Sequence, residues 1–278
     1  MSGAGCFQDQ VALVLGVGRP PGIGRATALR LAAGGAHVIC VDDLADEHGP
    51  GDTAQVPPAL FEQIVAEVDA AGPGRALGVA YPHRQDWPDL VGEVVTEFGR
   101  LDICCALNGA TGARAGDGPL LDLAPESFER CFAVNVTWSL RLLSAAARAM
   151  IQLGRPGALV ALSSHAARRP TPNIGALGAA RAAVEHLVAV LAKEVAPYGI
   201  RCNAVSPLAV GPSHLFPNPG LVTLAEREAG SLDRWLSRDV PLGRSQGADE
   251  TAAVVEFLCS DQASYLTGVT VPVHGGAT

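Results

Sequence analysis

VALVLGVGRPPGIGRATALRLAAGGAHVICVDD, Val11 to Asp43, decides how the fold is read. An apolar run (Val11 to Val17) passes through a glycine-rich turn into an amphipathic stretch (Ile23 to Ala33), then into a second apolar run (His37 to Val41). Gly18, Gly22 and Gly24 form G-x-x-x-G-x-G where strand gives way to helix, and Gly16 follows the strand core. Glycines suit such a turn because the chain reverses sharply and its backbone must approach a ligand closely. Free N–H groups at the helix start, with Ile23 as its first residue, favour a bound phosphate.

The rest of the chain repeats this alternation. Further strands are predicted at Ala76 to Ala80, Asp102 to Leu107, Ala158 to Ser163, Arg201 to Val205 and Thr270 to Val273. Helices are predicted at Ala59 to Ala71, Trp87 to Phe98, Ser127 to Leu153, Ile174 to Ala196 and Ala248 to Ser260. Short apolar runs between amphipathic stretches define an α/β chain: a Rossmann-like, doubly wound parallel sheet of about seven strands with helices on both faces. No repeat or linker interrupts it, so residues 1–278 are expected to form one domain. Two segments are set apart: a long loop insertion over 42–58, and a Pro-rich lid over 208–238 that should close on the cleft. The lid carries Leu215, Phe216, Leu221, Leu224 and Trp235, which suits a small-molecule substrate with apolar surface.

Asp42 stands at the end of the second strand, 18 residues past Gly24. A carboxylate there binds ribose hydroxyls and repels a 2′-phosphate, so the expected cofactor is NAD, with NADP disfavoured. Arg19 in the turn pulls weakly toward a phosphate.

A net charge of −8 and the lack of Lys/Arg runs argue against nucleic acid or an anionic membrane as partner. The seven cysteines include no C-x-x-C pair, which predicts buried reduced thiols and no metal site. The first residues, MSGAGCFQDQ, lack a basic start and an apolar core, and the uncharged stretch from Cys202 to Ala225 is broken by prolines. A cytoplasmic location is the expectation.

FGRLDICCALNGA, FAVNV, ALVALSS, YGIRCNAVSP, PLGR, SDQASYLTG and HGGA follow the opening stretch in order. In these motifs nearly the whole chain resembles the short-chain dehydrogenase/reductase family. The insertion and NAVSPLA look most like a branch that includes hydroxyacyl thioester dehydrogenases. The resemblance implies a Tyr that exchanges a proton with the substrate oxygen and a Lys four residues on that tunes it. It also implies a Ser that binds that oxygen and an Asn that positions a relay water. By spacing the Ser is Ser164 and the Asn is Asn135, while Leu177 fills the Tyr slot and Arg181 the Lys slot. Asn108 and Gly109 fall where the family lines the cofactor, within Ala-Leu-Asn-Gly instead of Asn-Asn-Ala-Gly. The acid expected near Ala80 to Pro82 is missing, and Pro20 and Pro21 lengthen the glycine turn.

Leu177 has no proton to give. Tyr81, Tyr198 and Tyr265 are the remaining tyrosines and lie outside these segments. His165 is the nearest titratable substitute, or else a solvent-facing loop histidine. Arg181 suits a ribose, a carboxylate or an oxyanion, or an ion pair among the helices. With His165, Arg168 and Arg169 it could form an anion-binding patch, the alternative being solvated loop charges. Three functions follow: an atypical enzyme acting on a carbonyl or hydroxyl, thioester-linked or anionic substrates included; a non-catalytic subunit of a mixed oligomer; or a dinucleotide sensor. The two long helices would carry a homo- or hetero-oligomer.

Overall fold

The computed structural model describes residues 5–19, 21–44, 56–80, 87–110, 117–211 and 219–277, with backbone only at 219–221 and 224. Seven strands build one sheet: β1 (Val11–Leu15), β2 (His37–Asp42), β3 (Ala76–Ala80), β4 (Ile103–Ala106), β5 (Gly157–Leu162), β6 (Ile200–Pro207) and β7 (Thr270–Val273). Every neighbouring pair is parallel, in the order β3-β2-β1-β4-β5-β6-β7. The order reverses between β1 and β4, and ligands of such sheets bind in the crevice outside the strands' carboxyl ends at that point.

Helices cover both faces. On one lie α1 (Ile23–Ala33), α2 (Pro58–Asp69) and α9 (Ala248–Cys259); on the other, α3 (Trp87–Phe98), α5 (Trp138–Gln152) and α6 (Gly175–Val195). Alternation along β1 splits its side chains between the layers. Leu13 and Leu15 pack with Trp87, Leu142 and Val184, whereas Ala12 and Val14 pack with Leu31, Phe61 and Val255. Strands buried on both faces need apolar residues at every position, which VALVL and ICCA supply.

The predicted helix Ser127 to Leu153 is three pieces: α4 (Pro125–Phe132), a π-helical turn (Ala133–Thr137) and α5. The extra residue of a π turn leaves the apolar periodicity almost unchanged, so the pattern does not reveal it. In the segment expected to form a lid lie two helices the sequence reading missed, α7 (Pro219–Ala229) and α8 (Leu232–Asp239). Ser231 caps α8 by accepting from the Arg234 N–H at 3.3 Å, and Trp235 and Leu236 pack on Ala225 and Val240 in a small core of their own. Leu215 and Phe216 lie outside the described residues, as do the side chains of Leu221 and Leu224. Trp235 is an interior residue of that small core.

The stretch Gly175–Tyr198 is long and apolar enough to cross a membrane by length and composition. Here it lies against the sheet, with Ala176, Ala180, Val184 and Val188 buried under it.

Candidate active site

The glycine turn is shaped by contacts that exclude any side chain. A Cβ at Gly24 would collide with the Gly16 carbonyl oxygen, and one at Gly22 with that of Arg19. Gly16 itself has φ +96°, and a Cβ there would stand 2.8 Å from the Asn108 nitrogen. The turn therefore lies flat against the start of α1, whose first turn holds no acid and whose N-cap, Gly22, offers no side chain. Its free N–H groups make an anion cradle.

Asp42, at the carboxyl end of β2, accepts from the Gly18 N–H at 2.6 Å and from the Asp43 N–H at 2.8 Å. Burial pushes its pKa up to about 6, against the pull of those two N–H donors. The insertion returns to this point: Leu44 bridges Val56, and the Val56 N–H donates to Asp43 at 2.8 Å. Val56 is 1% exposed and fills the space beside Gly18, where a Cβ would stand 2.5 Å from it. The sequence reading missed Val56, because its contact with Gly18 is long-range and no motif marks it. This end of the cleft fits the pyrophosphate and adenosine ribose of a dinucleotide.

The other end is rebuilt around Arg181. Its side chain runs inward from α6 and is 2% exposed. Nη1 donates to the Leu162 carbonyl at 2.6 Å and to the Asn135 carbonyl at 3.4 Å; Nη2 donates to the Asn108 carbonyl at 3.0 Å. Desolvation lowers its pKa to about 10, which still leaves it charged at neutral pH. A cation thus closes the carboxyl ends of β4 and β5 and the π turn, and Gly109 leaves room for it, since a Cβ there would collide with Nη2. Where a ribose or oxyanion contact is expected of Arg181, its Nη donors face backbone carbonyls and its Nε is buried without a partner.

The anion-binding patch is not assembled either. Arg168 pairs with Glu185 at 3.0 Å, and Arg169 pairs with Asp239 at 2.7 Å, tying α8 to the loop after β5. Glu185 also accepts from the Ser163 hydroxyl at 2.8 Å. Each loop arginine already has a carboxylate partner.

Asn135 sits in the π turn with its side chain fully buried. Its Nδ2 donates to the carbonyls of Ala110 (3.0 Å) and Cys131 (2.9 Å), and its Oδ1 accepts from the Ala110 N–H at 3.2 Å. Asn108 is likewise a frame residue: Nδ2 donates to Val134 at 2.6 Å and Oδ1 accepts from Ser139 at 3.1 Å. Both hold the segment after β4 against the long helix.

Ser164 is half-buried at the end of β5, and its hydroxyl accepts from the Ala166 N–H at 3.3 Å. Leu177, half-buried in the first turn of α6, brings only carbon. Asp117, missed by sequence reasoning, is 2% exposed and accepts from the Ala176 N–H at 3.2 Å, fixing the start of that helix. His165 is 7% exposed, with no hydrogen-bond partner for Nε2. Its pKa is lowered by burial first, then by His274 and Arg169, so the ring is neutral at pH 7.

A family model described as enoyl-(acyl carrier protein) reductase matches residues 16–278. The chain belongs to the short-chain dehydrogenase/reductase family. It is 35% identical to a cyclohexanol dehydrogenase of Rhodococcus sp. (strain TK6), over 98% of this chain and 97% of the relative. It also superposes on carveol dehydrogenase from Mycobacterium avium in complex with NAD, with TM-score 0.84 and 27% identity, covering 98% of each chain. An NAD+-bound xylitol dehydrogenase gives TM-score 0.82 and 29% identity, covering 97% of this chain and 99% of its own.

Proposed function

We propose that this chain is an NAD-linked oxidoreductase of apolar secondary alcohols or ketones whose proton acceptor is His165 instead of the family's tyrosine. The observation that carries this reading is the buried, unpartnered Nε2 of His165, one residue from Ser164. Bound NAD would supply the hydride acceptor for the carbinol carbon. Gly16, Gly18, Gly22, Ile23 and Gly24 would hold its pyrophosphate, and Asp42 its adenosine ribose. Arg181 gives the nicotinamide ribose no anchor, so the cofactor is held from the adenosine end.

Ser164 hydrogen-bonds the substrate oxygen, and neutral His165 takes the proton as the carbonyl forms. An uncharged imidazole suits that task because it starts without the proton. Arg181 acts indirectly, by fixing the carboxyl ends of β4 and β5 on which Ser164 stands. The paired states of Arg168 and Arg169 favour a neutral substrate over an anionic one.

A second reading, a non-catalytic subunit that docks on an intact relative, draws on one feature. Between α5 and α6 runs an apolar groove lined by Val136, Leu140, Leu143, Val184, Leu187 and Leu191. That face suits a homo- or hetero-oligomer through the two long helices. The experiment that separates the readings is NADH formation by the pure chain on a panel of cyclic secondary alcohols, wild type against His165→Ala. Turnover lost in the variant supports the enzyme; NAD binding without turnover supports the subunit.

A further inference from the structure

Two histidines meet at the carboxyl rim of the sheet. His165 follows Ser164 beyond β5, and His274 follows Val273 at the end of β7. Their ring centroids lie 5.1 Å apart with the planes inclined by 62°. Nε2 of His165 and Nδ1 of His274 are both buried and without a hydrogen-bond partner. A buried polar atom left unpaired is destabilising. Here two such atoms belong to one ring pair. Of His274, the frame uses the main chain, whose carbonyl accepts from the Ala277 N–H at 3.2 Å. His165 is buried and His274 half-buried, so the pair runs from the interior toward solvent.

We propose that His274 is a positioning residue for His165: the two imidazoles share a single proton, and His274 passes it from the buried ring to solvent. This rests on the reading of His165 as proton acceptor. The substrate O–H bond breaks and a bond from its proton to a His165 nitrogen forms. One proton then leaves through His274, by a water between the rings or a small ring rotation, while the hydride departs separately to NAD. No electrons move in the histidine step. The charged groups that bear on the pair are Arg169 and, bonded to it, Asp239 of α8, which Arg238 also contacts.

The test is an NMR titration of protein carrying 13C-labelled histidine, with the His165 signal assigned by its loss in His165→Ala. His274→Asn and His274→Gln, both checked for folding by thermal unfolding, remove the second ring's charge. The expected result is a His165 titration that moves up in both variants, because the second ring that lowers it is gone. The acid limb of alcohol oxidation moves up with it. An unchanged His165 titration in both folded variants, with turnover intact, overturns the proposal and leaves the functional reading standing. A shifted titration with no turnover in any protein, wild type included, overturns both.

Discussion

Nη2 of Arg181 donates to the carbonyl of Asn108 at 3.0 Å, across a gap that stays open because residue 109 is glycine. The relation makes Arg181 part of the frame, and it predicts coupling. Arg181→Ala strips the donor from three buried carbonyls, and Gly109→Ala pushes the guanidinium away from them. Each should cost on the order of 3 kcal/mol in urea denaturation. The double variant should lose clearly less than the sum, because both changes break one set of contacts. Strict additivity would separate Gly109 from the guanidinium.

Asp42 carries a pH dependence whose sign is fixed. Its folded-state pKa of about 6 lies above the ordinary 3.8, so the native chain binds more protons between those values. Asp42 therefore lowers stability as pH rises through that window. The same ionisation creates the acceptor for ribose hydroxyls, so NAD affinity should rise as pH climbs through about 6. Asp42→Asn should flatten both slopes and weaken NAD by roughly 10-fold or more. Calorimetry at pH 5 to 8 reads both.

The thiols should be silent. Cys6 is exposed and the other six cysteines are buried. Burial pushes Cys40 and Cys202 up to about 12 and raises Cys104 as well, while the hydrogen bond with Cys259, then burial, raises Cys105. An aromatic disulfide reagent should titrate one thiol in the native protein at pH 8 and the remaining six only after denaturation. Cys105 and Cys259 share a buried thiol–thiol hydrogen bond, 3.6 Å between sulfurs.

Much of this was legible in the sequence. VALVL and ICCA are apolar at every position because their strands are covered on both faces, and that signal locates the sheet. The glycines of residues 16–24 announce the cradle because no side chain fits there. The inward turn of Arg181 was not legible, since it depends on carbonyls 19, 46 and 73 residues away along the chain. Nor was the contact of His165 with His274, residues joined only when β5 and β7 align their carboxyl ends. Helices α7 and α8 were hidden by the prolines and glycines around them.

Restoring the family pair should add a second proton route. Leu177→Tyr alone supplies a phenol whose pKa near 10 leaves it a poor base at neutral pH. With Arg181→Lys beside it, the ammonium can favour the phenolate. The double variant should raise alcohol oxidation at pH 8 by about 10-fold or more over Leu177→Tyr alone. Equal rates would show that residue 181 cannot reach the phenol from its inward position.

The central claim, that His165 accepts the substrate proton, is tested most directly by pre-steady-state NADH formation from a cyclic secondary alcohol deuterated at the carbinol carbon. Wild type should transfer the label to NAD with an acid limb below pH 6.5. His165→Ala should slow that transfer by about 10²- to 10⁴-fold while binding NAD unchanged. Label transfer at the wild-type rate in His165→Ala would contradict the account.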